Sequence, residues 1–210
     1  MDIEVTIQSA IAELQRFFTI LNARYFNNEL ERPVVTIQTD TTAGAYGWIT
    51  VGKVWSRENE EWFREINLCA EYLNRSPDLV IATLLHEMCH LYNIQREIQD
   101  TSRGGTYHNM KFKRTAEIRG LQVGKCEKYG YCVTTPTPEL TQFLNDNNLQ
   151  VDCFRLNRLK TQRNGKKPTG ESRQSTRKYA CPCCGLIVRA SKDIGGKLLC
   201  IDCEEVFVES

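Results

Sequence analysis

The sequence predicts an α+β domain followed by a small metal-stapled module. Three observations carry that expectation. Helix-period apolar spacing at the start gives way to short β-branched runs and then to a second, almost wholly apolar helical stretch. That second stretch contains His86-Glu87-Met88-Cys89-His90, which holds two of the chain's three histidines. The final segment sets Cys181, Cys184, Cys200 and Cys203 in a C-x2-C-x15-C-x2-C pattern. At 210 residues the chain can bury one sizeable core and still carry a separate small unit.

Taken in order, Ile7, Ile11, Leu14, Phe17, Phe18, Leu21 and Tyr25 recur at helical spacing. They predict an amphipathic helix over 5–25, ended by Asn27, Asn28 and the later Pro33. Val34 to Gln38 is β-branched and predicts a strand. Tyr46 to Val51 predicts a second strand, continuing or turning at Gly52 toward Val54-Trp55, and 56–61 a charged loop. Ile66, Leu68 and Ala70 alternate with Asn67, Cys69 and Glu71, which predicts a third strand within 64–72. Ser76-Pro77-Asp78 is a helix start with Ser as N-cap and Pro in the first turn, and the helix runs over 79–94. Residues 95–106 predict a polar loop. Tyr107-His108-Asn109 then opens a helix with Gly120 as its C-cap. A strand over 129–133 and a short helix capped by Thr137 complete the domain.

The chemistry concentrates in the apolar helix. Residues four apart on a helix lie one above the other, so His86 and His90 can grip one metal ion. Glu87 can then reach a water on that metal. Polar groups in a buried helix need partners, and a metal supplies them; the alternative is a pair of core histidines bonded to backbone carbonyls. A catalytic zinc takes three protein ligands and keeps one position open. His108 is the remaining histidine and the favoured third ligand, with Glu117 as rival. The metzincin extension would need a histidine at 96, where Arg96 stands. No phosphate-cradling glycine motif occurs.

The four spaced cysteines predict a structural zinc site on two hairpin knuckles, a zinc ribbon whose folding is coupled to its metal. Cys183 is left over and could replace Cys181 or Cys184 only in a worse knuckle. Cys69, Cys89, Cys126, Cys132 and Cys153 have no metal-like spacing and are expected to be small packing residues. The net charge of +1 hides an asymmetry: 154–197 carries +10, the last thirteen residues −4, and 1–153 −5. The basic stretch suggests an arm for DNA, working with the ribbon; a linker merely solvated by Lys and Arg is the alternative. The expected organisation is a domain over 1–155, a basic linker over 156–178 and the ribbon over 179–210.

Hydrophobic content of 41% and charged content of 25% fit a soluble globular protein. No apolar run approaches the ~20 residues of a membrane span. The acidic start, Met1-Asp2-Ile3-Glu4-Val5, lacks the features of a secretory signal, so no membrane partner and a cytoplasmic location are expected. Ten cysteines there read as metal ligands and free thiols.

Together these pieces resemble the SprT-like (SprT/Spartan-type) zinc metalloprotease family. The resemblance rests on Leu21-Asn22-Ala23-Arg24-Tyr25-Phe26-Asn27-Asn28-Glu29-Leu30, on Thr83 to His90, on His108-Asn109 with Phe112, and on the four-cysteine ribbon. It implies a compact minigluzincin-like domain, zinc held by His86, His90 and His108, and Glu87 as general base. It also implies a role near DNA. Cys89 within the motif is a less usual choice.

The expectation is therefore a zinc metalloendopeptidase acting on proteins, with one catalytic and one structural zinc. The alternative is a DNA- or protein-binding zinc module whose H-E-x-x-H site is structural or inactive. Deaminase chemistry is disfavoured, because that pattern puts Glu two residues after its His.

Overall fold

Helix α1 (Ile7–Phe26) begins where Thr6 and Ser9 cap each other: each side-chain oxygen accepts the other's backbone N–H at 3.1 Å. It ends at Asn27, which takes the left-handed conformation at φ 53°. The computed structural model describes residues 5–39, 44–58, 60–159 and 176–209. They divide into two compact units, Met1–Thr161 and Gln162–Ser210. Residues 160–175 of the predicted basic linker lie outside the described residues.

In the first unit, strands β1 (Val34–Gln38) and β2 (Gly47–Ile49) flank a central strand that follows a small hairpin. The hairpin, β3 (Trp55–Arg57) with β4 (Glu61–Phe63), replaces the charged loop expected at 56–61. Trp55 Nε1 ties it down by donating to Glu65 at 3.0 Å. The central strand β5 (Glu65–Cys69) pairs parallel with β1 and antiparallel with β2. Its side chains alternate between faces, yet both faces are covered and all five residues are buried. The Thr36 hydroxyl lies within reach of Glu65 Oε1 and Asn67 Oδ1 and can donate its one proton to either.

Helix α2 (Pro77–Gln95) follows a 3₁₀ turn at Ala70–Tyr72. Ser76 holds the N-cap position, but its hydroxyl bonds the Asp78 carboxylate instead of a backbone N–H. Val80, Ile81, Leu84, Leu85, Met88 and Leu91 enter one core with Leu14, Phe17 and Leu21 of α1 and Ile66 and Leu68 of β5. Fully burying each such side chain contributes roughly 1.5–3 kcal/mol. This core clamps the helix that carries the motif.

The supposed polar loop after α2 contains a hairpin, β6 (Thr101–Ser102) with β7 (Tyr107–His108). His108 is thus a strand residue. Asn109 is the N-cap of α3 (Met110–Glu117), and its side chain accepts from the N–H of Lys111 at 2.7 Å. The helix closes at Ile118, with Gly120 two residues beyond at φ 83°. Strands β8 (Leu121–Cys126) and β9 (Gly130–Pro136) form a bulged hairpin that completes the sheet β6-β7-β9-β8. Helix α4 (Pro138–Asp146) starts at Thr137, whose hydroxyl accepts from the N–H of Leu140 at 3.2 Å. No helix among the described residues is long and apolar enough to cross a membrane.

The second unit pairs β10 (Arg177–Ala180) with β11 (Ile187–Ala190) and joins β12 (Leu199–Cys200) to β13 (Glu205–Val206). A last strand, β14 (Val208–Glu209), adds to β10. Its small core is Tyr179 and Phe207 packed with Cys181, Cys200, Val188 and Leu198. The fold is α+β, and the cysteine-bearing turns between its hairpins fit a zinc ribbon.

Candidate metal centre

α2 sets His86 and His90 on one face, four residues apart, and the β6–β7 hairpin swings His108 onto them. His86 Nε2 lies 3.1 Å from His108 Nε2 and 3.2 Å from His90 Nε2. The outer nitrogens are held in place. His90 Nδ1 meets Asp100 Oδ2 at 2.7 Å, His108 Nδ1 meets the Tyr129 carbonyl at 3.2 Å, and His86 Nδ1 meets Thr134 Oγ1 at 3.0 Å. A carboxylate and a carbonyl only accept, so His90 and His108 each donate from Nδ1 and turn an Nε2 lone pair inward. Three inward nitrogens cannot satisfy one another. A cation between them can, and a tetrahedral zinc with Zn–N of about 2.0–2.1 Å needs ligand nitrogens roughly 3.3 Å apart. The donor set fits zinc. The Phe112 ring floors the site, with its centroid 4.5, 4.5 and 4.8 Å from those of His86, His90 and His108.

A buried hydrogen-bond chain backs His90. Asn93 donates to Asp100 Oδ2 at 2.8 Å and accepts from the Thr115 hydroxyl at 2.9 Å. Orienting acceptors behind ligand imidazoles are worth about 10–100-fold in metal affinity. Asp100→Asn is accordingly expected to weaken binding at the histidine site by about that factor. Competition against a chelator would measure it, with metal at the ribbon unchanged as internal control.

Glu87 is 5% exposed and sits against β2: a Cβ placed on Gly47 would lie 3.3 Å from Glu87 Oε1. Burial, with a smaller push from Asp100, moves its carboxyl up to about 7, against the pull of His90. Burial and the neighbouring imidazoles hold His86 well below its ordinary value and bring His108 down to about 4. These shifts have opposite signs for the metal-free protein. As pH falls from about 6.5 toward 4, the unfolded chain protonates two imidazoles that the folded chain keeps neutral. Over most of that range folded Glu87 keeps one proton that the unfolded carboxyl lacks. Two outweigh one, so the unfolded state binds more protons. Stability of the metal-free protein should fall on acidification by about 1.4 kcal/mol per pH unit for one net proton. Denaturant midpoints between pH 7 and 5 would show it.

In the ribbon, Cys181, Cys184, Cys200 and Cys203 bring their ligand atoms within 4.8 Å of one another, and the same holds for the three histidines. Cys184 and Cys200 are 3.8 Å apart at sulfur. The first knuckle is closed by bonds from the Gly185 N–H to the Cys181 carbonyl at 3.0 Å and from the Cys181 N–H to the Leu186 carbonyl at 2.9 Å. Gly185 accommodates the turn at φ 72°. Backbone N–H groups of Cys184 and Cys183 favour the thiolate and bring Cys181 down to about 7, suited to a metal ligand. Cys183 is exposed and outside the cluster, as is Glu117, the rival third ligand.

Sequence reasoning did not single out Asp100, Thr134, the Tyr129 carbonyl or Phe112 as parts of the site. Asp100 stood in a polar loop, where an acidic residue draws no attention. Thr134 lies 48 residues from its partner, and no local pattern encodes that contact.

A buried helix bearing His-Glu-x-x-His, met by a third imidazole, defines a metallopeptidase-type domain. The sequence profile of the SprT-like family matches residues 14–135, more than half the chain. The chain belongs to the SprT-like family. No curated protein matches it.

Proposed function

We propose that the chain is a zinc-dependent endopeptidase that cleaves proteins, with Glu87 as its general base. The observation that carries this reading is the convergence of three Nε2 atoms beside a buried glutamate. A zinc ion held by His86, His90 and His108 would supply Lewis acidity, polarising a peptide carbonyl and acidifying water. Glu87 takes the proton of the attacking water and passes it to the leaving amine. In the metal-free protein burial raises its carboxyl to about 7, and a cation bound at the histidines would draw it down again and favour the proton-accepting carboxylate. β2 is an edge strand lying on Glu87, so a substrate chain adding to that edge would run past the carboxylate. Asp100, Thr134 and the Tyr129 carbonyl keep the imidazoles turned inward.

The substrates we propose are proteins held near DNA in the cytoplasm. Support comes from the +10 charge of 154–197 and from Arg177, Arg189, Lys192 and Lys197, all exposed on the ribbon unit. The test is cleavage of an unfolded protein with and without DNA, before and after chelation, at several salt concentrations. Chelation should abolish cleavage and added zinc restore it. DNA affinity should fall steeply with salt. Flat salt dependence removes the DNA part, and binding without cleavage leaves a zinc-stabilised binding module.

A further inference from the structure

Two of the cysteines expected to be mere packing residues behave differently. Cys69, Cys89 and Cys153 are buried, whereas Cys126 and Cys132 are only partly covered. They sit on β8 and β9 with their sulfur atoms 3.3 Å apart. Cys126 Sγ also accepts the backbone N–H of Tyr129 at 3.2 Å. The bulge between Gly124 and Cys126 breaks the regular pairing here. Neither sulfur belongs to a metal-holding group among the described residues.

We propose that Cys126 and Cys132 are a peroxide-sensitive dithiol that closes to an intramolecular disulfide, with Cys126 the attacking thiol and Cys132 the resolving one. Cys126 as thiolate attacks one oxygen of hydrogen peroxide. The O–O bond breaks, hydroxide leaves and is protonated to water, and a sulfenic acid remains on Cys126. Cys132 loses its proton and attacks that sulfur. The S–S bond forms, the S–O bond breaks, and a second water departs. Two thiols give up two electrons and one peroxide is reduced to two waters.

The assignment of roles follows from hydrogen bonding. The contact with the Cys132 sulfur, in which either thiol can donate, and the Tyr129 N–H, which can only donate, lower the Cys126 pKa, and the second of these sets Cys126 apart as the thiolate. Burial pushes Cys132 up to about 11, leaving it protonated until the sulfenic acid forms. Closure would tie off the turn that carries the Tyr129 carbonyl, which accepts both the His108 backbone N–H at 2.9 Å and His108 Nδ1. A Cβ on Gly130 would come within 2.2 Å of the His108 carbonyl, so this turn has no slack against the metal ligand.

The test uses the full, metal-loaded chain, titrated with hydrogen peroxide, alkylated, digested and mapped by mass spectrometry. The first cross-link expected is Cys126–Cys132, reversed by dithiothreitol. Cys89 and Cys153, buried with pKa values near 12, should stay reduced as internal controls. In Cys132→Ser, dimedone should trap a sulfenic acid on Cys126. In Cys126→Ser, labelling of Cys132 should be about tenfold slower. Both thiols are partly exposed, and unchanged melting curves would establish that the serine variants fold. The proposal is overturned if other cysteines oxidise while both of these remain free thiols, or if Cys132 labels as fast as Cys126. This test needs no assay of proteolysis and stands apart from the proposed function.

Discussion

Glu87→Gln should keep both metal groups loaded and lower peptide cleavage by about 10²–10⁴-fold. The change is isosteric, so the buried slot between α2 and Gly47 stays filled and the core is not cut. The ligand imidazoles and their partners Asp100, Thr134 and Tyr129 are untouched. What is lost is the proton acceptor. A carboxylate can take a proton from water and give it back to an amine; a carboxamide can do neither. Metal analysis and cleavage rates on one preparation separate the two effects. A Gln variant as fast as the natural protein would remove Glu87 from the mechanism.

Cys200→Ser should unfold the ribbon while leaving the first unit intact. The ribbon's own core is Tyr179 and Phe207 with a few aliphatic neighbours, too little apolar area to order a unit of this size. Zinc held by four thiolates can supply roughly 10–16 kcal/mol at neutral pH, and that binding energy is folding energy. With one thiolate gone, bound metal should drop from about two to about one per chain. Tyr179 would lose the bond from its hydroxyl to Asp193 and its burial, so limited proteolysis should cut within 176–209. A variant ribbon that stays protease-resistant and metal-free would show that the unit folds without zinc.

The sequence made the helical parts of this fold readable. α1 declares itself through Leu14, Phe17 and Leu21 at helical spacing, and α2 through an apolar run opened by Ser76-Pro77-Asp78. The candidate metal-holding pair was legible for the same local reason, since helix period sets His86 over His90. Strand context was not. β5 alternates in sequence as a half-buried strand would, but while Ile66 and Leu68 face α2, Trp55 and the side chains of β1 close over the other face, so Glu65 and Asn67 are buried too. His108 could be chosen as third ligand by counting histidines. Its hairpin pairs it with Thr101 in a stretch too short and polar to read as strand, and its seat in the sheet depends on Gly130, 22 residues away, a distant pairing that leaves no local trace. Glu117 was the rival farther along the chain; it is exposed near the end of α3, where it pairs with Lys113. The meeting of Cys126 and Cys132 was hidden likewise, because a bulge shifts the register that spacing alone would suggest.

The hydrogen-bonded run from Thr115 through Asn93 and Asp100 to His90 links the candidate metal centre to the seating of α3. Thr115 belongs to α3, which also lays Phe112 beneath all three rings. If α3 lifts, the floor leaves together with the last donor of that run. Asn93 then loses the Thr115 hydroxyl that fixes its amide, while Asp100 still accepts from His90 Nδ1. Docking of α3 and assembly of the histidine cluster are therefore coupled, because one helix supplies both the floor and the far end of the hydrogen-bonded run.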